Sequence, residues 1–217
     1  MRNRFEEQLH TLNEQIITMG AMVESAIASA ARALENRDIA LAQKVADADN
    51  TIDEKEREIE HLCLKLLMQQ QPVASDLRMI SAAMKMITDI ERVGDQAEDI
   101  ALLTIMLCKQ NAVLSTALEL KEMAKATIHM VSGAIDAFVR KDTELVQEII
   151  NYDDIVDEQF NNIRKKLVAS IRENQDAGET AIDEMMIAKY FERIGDHAVN
   201  IAEWVEFSLT GKLKHEE

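Results

Sequence analysis

Apolar residues along this chain recur in alternating steps of three and four, the spacing that keeps side chains on one face of an α-helix. From Phe5 to Glu35 the positions Leu9, Leu12, Ile16, Met19, Val23, Ala26, Ala30 and Ala33 form one unbroken seam, which predicts a first helix packed along its whole length. Asn36-Arg37-Asp38 interrupts the seam, with Asp38 as the expected N-cap of a second helix running to about Met68. That helix carries Val45, Ile52, Ile59 and Leu66 at one heptad position and Ala48 and Leu62 at its partner. Gln69 to Ser75 holds the single proline, Pro72, and predicts a turn. The third helix then continues to about Cys108 through Ile80, Ala83, Ile87, Ile90, Gly94, Ala97, Ala101 and Thr104. Gly94 thus falls inside an apolar seam, where a missing side chain predicts close approach of another helix backbone.

The second half repeats the pattern. Asn111 and the capping-box spacing Thr116-x-x-Glu119 predict the start of a fourth helix, with Ala124, Ile128, Val131, Ile135 and Phe138 in its seam. Asp142 opens a fifth helix that ends near Asn174. The polar stretch Gln175 to Gly178 leads into a sixth, which stops before Gly211. Each helix has about 25 to 35 residues, or roughly 40 to 50 Å at the α-helical rise. Two acidic pairs return at nearly constant offset: Asp49 and Asp53 as Asp153 and Asp157, 104 residues on, and Glu91 and Asp95 as Glu192 and Asp196, 101 residues on. The expected fold is therefore all-α, with two tandem antiparallel three-helix bundles, residues 1–110 and 111–217, related by internal duplication and a pseudo-twofold.

Composition narrows the class without changing this picture. One proline, six glycines and 4% aromatic residues leave little for strands or tight turns. A formal charge of -16 argues against nucleic acid, which calls for clustered lysine and arginine, and favours metal cations or basic protein surfaces. The longest strongly apolar uncharged run is the nine residues Ile100 to Cys108, well below the ~20 needed to span a bilayer. No basic-then-apolar leader opens the chain. A protein of the cytoplasm, without membrane insertion, is expected, and there Cys63 and Cys108 read as small buried hydrophobes rather than a disulfide.

The candidate chemistry lies in two decamers, Glu91 to Ile100 (ERVGDQAEDI) and Glu192 to Ile201 (ERIGDHAVNI), identical at six positions. Residues four apart share a helix face, so each decamer presents two carboxylates that repel one another around an interior glycine. Asp49 and Asp53 occupy heptad positions e and b, as do Glu91 and Asp95, so helices 2 and 3 would bring both pairs to one flank. Asp99 extends that flank to a five-carboxylate strip. Asp153, Asp157, Glu192 and Asp196 repeat it, with Asn200 in the place of Asp99. One such pair in so acidic a chain means nothing, since solvated charge is ordinary at these positions. Four pairs in register across a duplication carry more weight.

Oxygen ligands without thiolates suit magnesium, calcium, manganese or iron, and carboxylates also bridge metals into clusters. His197, beside Asp196, is a weaker candidate, because a lone histidine is more often a hydrogen-bonded surface residue. A dimetal oxidase of the ferritin-like kind needs Glu-x-x-His on two helices of one bundle, and this chain has that spacing once, at Glu58 and His61. No phosphate-cradling glycine loop or nucleophile elbow is present, so a protein that is not an enzyme is expected.

The paired E/D-x-x-x-D motifs, Asp49 to Asp53, Glu91 to Asp95, Asp153 to Asp157 and Glu192 to Asp196, resemble those of the PhoU family of phosphate-signalling regulators, and the likeness covers nearly the whole chain. The resemblance implies a cytoplasmic, homodimeric negative regulator of phosphate uptake and of the phosphate-starvation response. Its implied partners are a phosphate ABC transporter ATPase and a sensor histidine kinase. It also implies divalent or trivalent metal ions on these motifs, multinuclear iron among them, with manganese, magnesium and zinc left open. Asn200 departs from the pattern and implies a weaker second site. The alternative is a metal-independent helical adaptor whose acidic faces meet lysine and arginine on a partner.

Overall fold

The computed structural model describes residues 2–70 and 73–212, which form α1 (Arg2–Asn36), α2 (Ile39–Gln70), α3 (Ala74–Lys109), α4 (Ala117–Arg140), α5 (Thr143–Glu173), a 3-10 turn (Gln175–Ala177) and α6 (Gly178–Thr210). These are the six long helices that the apolar spacing predicts, and no strand occurs among the described residues. The turn expected around Pro72 lies outside the described residues, but α3 already begins at Ala74, so Ser75 belongs to the helix.

The duplication is visible in the backbone itself. Arg37 and Lys141, 104 residues apart, both adopt left-handed conformations, φ 56° and 55°, at the ends of α1 and α4. The residue after each is an N-cap, and its amide donates back into the helix it leaves: Asp38 N–H to Ala33 C=O at 2.9 Å, Asp142 N–H to Ala137 C=O at 3.0 Å. Each aspartate then accepts from the third residue on, Leu41 at 2.9 Å and Leu145 at 3.1 Å. Gly211, φ 76°, closes α6 where the sequence predicts a stop.

Two local expectations are corrected. Thr116 is the N-cap of α4, but Glu119 does not complete a capping box; it pairs with Lys166 of α5 at 2.6 Å. Buried Glu184 of α6 takes that role, accepting from the Thr116 N–H at 2.7 Å, the Ser115 N–H at 3.0 Å and both hydroxyl groups. A buried carboxylate needs several donors, and a helix N-terminus offers them. Asn111, φ 54°, closes α3 through Asn111 N–H to Cys108 C=O rather than opening α4.

Within each repeat the three helices pack on one another, and the repeats meet through α1 against α4 and, most extensively, α3 against α6. α2 and α5 lie outside this central four-helix layer. Asp89 meets Asn200 while Asp99 meets Tyr190, so α3 and α6 run antiparallel, with equivalent positions exchanged between repeats. A single buried cluster runs from Phe5 to Val205 through both halves. The predicted seam of α1 is largely buried, and so are Val45, Ile52, Ile59 and Leu66 of α2. Phe5–Asn36 is long and apolar enough by composition to cross a membrane, yet Leu12, Ile16, Met19, Val23 and Ile27 face this core. Cys63 is buried as expected, with its thiol pushed up to about 12 by burial and then by Glu60, whereas Cys108 is half-buried.

The second apolar line of α2 does not run where its heptads suggest. Ala48 is exposed and Leu62 half-buried; the line that accompanies Val45 and Ile52 is Ala42, Asp49, Glu56 and Cys63. The core-facing stripe of this helix therefore follows positions a and e, and two acids stand in it. In α5 the equivalent line is Val146, Asp153, Phe160 and Leu167.

Candidate metal centre

Asp49 enters the core stripe because α3 makes room for it. At Gly94 an added Cβ would lie 3.1 Å from Asp49 Oδ1 and 3.1 Å from Ile52 Cδ1, so the bare backbone forms the hollow that receives the carboxylate. Gly195 does the same for Asp153, whose Oδ1 would lie 3.1 Å from the added carbon. Both glycines are buried between repeating partners, Ile52 and Val156 included. The seam glycine thus admits a close neighbour, as expected, but the neighbour is an acidic side chain as well as apolar packing.

In the first repeat the strip is tight. Ligand oxygens of Asp49, Asp53 and Asp95 all lie within 4.8 Å of one another, the one such group of three among the described residues. Two unit charges at that separation repel by roughly 3 kcal/mol at an effective dielectric near 20, so three cannot stay bare without a counter-ion or a proton. Arg57 reaches Asp53 at 3.3 Å, and Arg92 reaches Asp95 at 2.7 Å, both from the solvent side. The inner oxygens get less help: Asp49 Oδ1 and Glu91 Oε2 are buried with no hydrogen-bond partner, and of the two only Glu91 Oε2 has an ion pair, to Arg92 Nε at 3.5 Å.

The protonation equilibria register the crowding. Burial, then the charge of Glu98, pushes Asp49 up to about 6; burial, then Asp95, pushes Glu91 up to about 7. Asp99 and Glu98 are also raised, each first by burial and then by a neighbouring acid. Glu56 and Glu98 thus belong to the strip and were not anticipated from the sequence. A step of seven from Asp49 and from Glu91 finds both. Glu56 accepts from the Thr88 hydroxyl at 3.1 Å and acts on Glu91.

In the second repeat the same scaffold carries less. Burial, then Asp157, pushes Asp153 up to about 6, but Asp157 and Asp196 are exposed. Lys189 pairs with Glu192. Asn200 and His197 turn away to the other repeat: the Asn200 amide donates to Asp89 Oδ1 at 3.1 Å, and His197 Nδ1 lies 2.9 Å from the same oxygen. Asp99, the first repeat's counterpart of Asn200, accepts from the Tyr190 phenol. These contacts bind α3 to α6 across the repeat boundary. Glu58 and His61 are both exposed, and Glu58 is paired with Lys55 at 2.6 Å, so the spacing of a dimetal oxidase does not point into a bundle here.

Whether the first strip suits a metal is decided by its donors. Five or more carboxylates, two orphaned buried oxygens and a glycine hollow fit a hard cation, whose oxygen ligands at about 2.1 to 2.5 Å lie within roughly 5 Å of each other. The second strip shares the hollow, but not the close group of three.

Two helical repeats back to back, with an acidic strip on each, define a class of duplicated helical scaffold proteins. The comparisons define the family. The model of the PhoU domain matches twice, over residues 16–104 and 120–205, and the chain belongs to that family. A Pseudomonas aeruginosa protein named as a phosphate-specific transport system accessory protein PhoU homolog is 34% identical over 208 residues, 96% of this chain and 86% of that one. The Escherichia coli K12 accessory protein PhoU is 30% identical over 210 residues, again 96% and 86% of the two chains. The crystal structure of PhoU from Pseudomonas aeruginosa superposes with a TM-score of 0.92 at 34% identity, covering 96% of this chain and all of that one. The family is one of accessory proteins, in keeping with the expectation of a protein that is not an enzyme.

Proposed function

We propose that this protein is a metal-binding negative regulator of phosphate uptake and of the phosphate-starvation response, acting as a homodimer in the cytoplasm on a phosphate ABC transporter ATPase and a sensor histidine kinase. The similarity to proteins named as phosphate transport accessory proteins, over nearly the full length of the chain, supports the regulatory part. The observation that carries the metal is the group Asp49, Asp53 and Asp95 with the orphaned oxygen of Asp49 at its base. Bound there, a divalent or trivalent cation, iron or manganese before magnesium or zinc, would neutralise the strip and fix α2 on α3. Of the ten residues expected from the sequence, Asp49, Asp53, Glu91, Asp95, Asp99, Asp153, Asp157, Glu192 and Asp196 remain the proposed ligand set, with the first five the stronger part, while Asn200 is engaged by Asp89 and leaves it. Deleting the gene in its own host, with a phosphate-responsive reporter, tests the regulatory reading. Expression of starvation genes in high phosphate is the expected result, and an unchanged reporter would overturn it. Elemental analysis of protein purified without chelator or nickel tests the metal, and light scattering tests the dimer.

A second reading is favoured by Arg57 and Arg92, which already bind Asp53 and Asp95 through guanidinium groups. A partner's arginines would dock on the same oxygens. Binding to the ATPase or kinase that weakens steeply with salt and ignores chelator would select this adaptor reading.

A further inference from the structure

Among the positions at which the two strips differ, one places an ammonium group directly on a strip glutamate in the second repeat and an uncharged hydroxyl in the first. Resting on the metal reading above, we propose that Lys189 sets the repeats apart in metal occupancy: its ammonium group is the built-in cation of the second strip and withholds Glu192 from a metal.

Lys189 stands 101 residues after Thr88, the same offset that relates Glu91 to Glu192. In the first repeat the threonine brings no charge; its hydroxyl donates to Glu56. In the second, the place of Glu56 is taken by Phe160, and Lys189 Nζ sits 5.6 Å from the centre of that ring while pairing with Glu192. An ammonium group over an aromatic face gains a further attraction that a carboxylate there would not share with a metal. The Lys189 and Glu192 side chains are 43% and 13% exposed, close to Arg92 and Glu91 at 53% and 17%. The difference is that Lys189 hydrogen-bonds its glutamate, whereas Arg92 hydrogen-bonds Asp95 and stays 3.5 Å from Glu91 Oε2. A cation entering the first strip must part Arg57 from Asp53 and Arg92 from Asp95, but it meets Asp49 Oδ1 without a partner and Glu91 Oε2 with only a 3.5 Å ion pair to Arg92 Nε. One entering the second must first displace Lys189 from Glu192, and Asp157 and Asp196 beside it are exposed and cheaply solvated.

The test is a titration of chelator-stripped protein with Mn(II), read by calorimetry and by bound metal per chain. Lys189→Thr, which copies the first repeat, is expected to tighten the weaker binding step at least tenfold and to raise the metal bound per chain, while Lys189→Arg, which keeps the charge, leaves both as in the wild type. The decisive version places Lys189→Thr in a chain carrying Asp49→Asn and Asp95→Asn, where the second strip stands alone. Gain of Mn(II) binding over the parent is expected there. No gain, with wild type still binding Mn(II), overturns the role of Lys189 and leaves the metal reading standing. Wild type that binds none while Lys189→Thr binds overturns the metal reading of the first strip and keeps the assignment of Lys189. Failure of both to bind removes both.

Discussion

The strip on α2 and α3 and the strip on α5 and α6 share a scaffold and differ in charge. Shared are the half-buried acid in the core stripe, Asp49 or Asp153, the glycine hollow that receives it, and the branched residue beside it, Ile52 or Val156. Different are the positions around that centre: Glu56 against Phe160, Glu98 against Val199, Asp99 against Asn200, Thr88 against Lys189, Arg57 against Asn161. The shared features are those that helix packing dictates, since a carboxylate in an apolar stripe needs a cavity of its own shape. The variable ones lie toward solvent, where charge is exchanged without moving a backbone. Burying one acid in each repeat and concentrating charge on one strip are therefore separable properties.

Removing charge from the two strips should have unequal consequences. Asp49→Asn with Asp95→Asn is expected to weaken Mn(II) binding at least 100-fold, because affinity for hard cations follows the number of charged oxygen ligands. Asp153→Asn with Asp196→Asn should change it less than about fivefold, because the close group of three oxygens is confined to the first repeat among the described residues. Calorimetry on chelator-stripped variants measures both, and equal losses would erase the distinction between strips.

The helices, their order and the duplication were legible because each rests on local periodicity and on caps such as Asp38 and Asp142 that act within three residues. The four acidic pairs were legible because they recur. Three things were not. The core line of α2 through Asp49 was hidden because a carboxylate in an apolar stripe looks like solvated flank until the facing glycine is in place. Glu184 capping α4 joins residues 68 and 69 apart, beyond any local pattern. Asn200, a neutral homologue of Asp99 by position, read as a weak ligand; its amide instead donates to Asp89 on the antiparallel neighbour, a contact that depends on how α3 crosses α6.

The two hollows offer a second, smaller contrast. Alanine in a helix interior is favoured over glycine by about 1 kcal/mol, whereas overpacking a core costs about 1 to 3 kcal/mol. At Gly94 the added carbon meets three atoms at 3.1, 3.1 and 3.2 Å, two of them on the branched Ile52 side chain. At Gly195 one contact is tight, at 3.1 Å, and the others are 3.4 and 3.6 Å, the last to the adaptable Met130 sulfur. Gly94→Ala should therefore lose up to about 2 kcal/mol in urea unfolding, and Gly195→Ala should stay within about 0.5 kcal/mol of wild type. The opposite order would mean that the first hollow is the looser.

The smallest effect is the dependence of stability on pH in metal-free protein. Asp49 near 6 and Glu91 near 7 bind protons more tightly in the folded state than at their ordinary values of 3.8 and 4.5. Between those limits the native state holds more protons than the unfolded one, so its stability must fall as pH rises from about 4 to about 7. The second strip adds Asp153, also near 6, to the same slope. Discounted for the solvent that reaches a half-exposed site, each group accounts for on the order of 1 kcal/mol. Asp49→Asn should then stabilise metal-free protein by about that amount at pH 8 and by nothing near pH 4. Mn(II) at saturating concentration should flatten the wild-type slope, chiefly through the first strip, because a bound cation replaces the protons. Stability that rises over this interval without metal would mean that Arg57 and Arg92 already satisfy the strip, and the acidic face would then be a surface for basic partners rather than a metal centre.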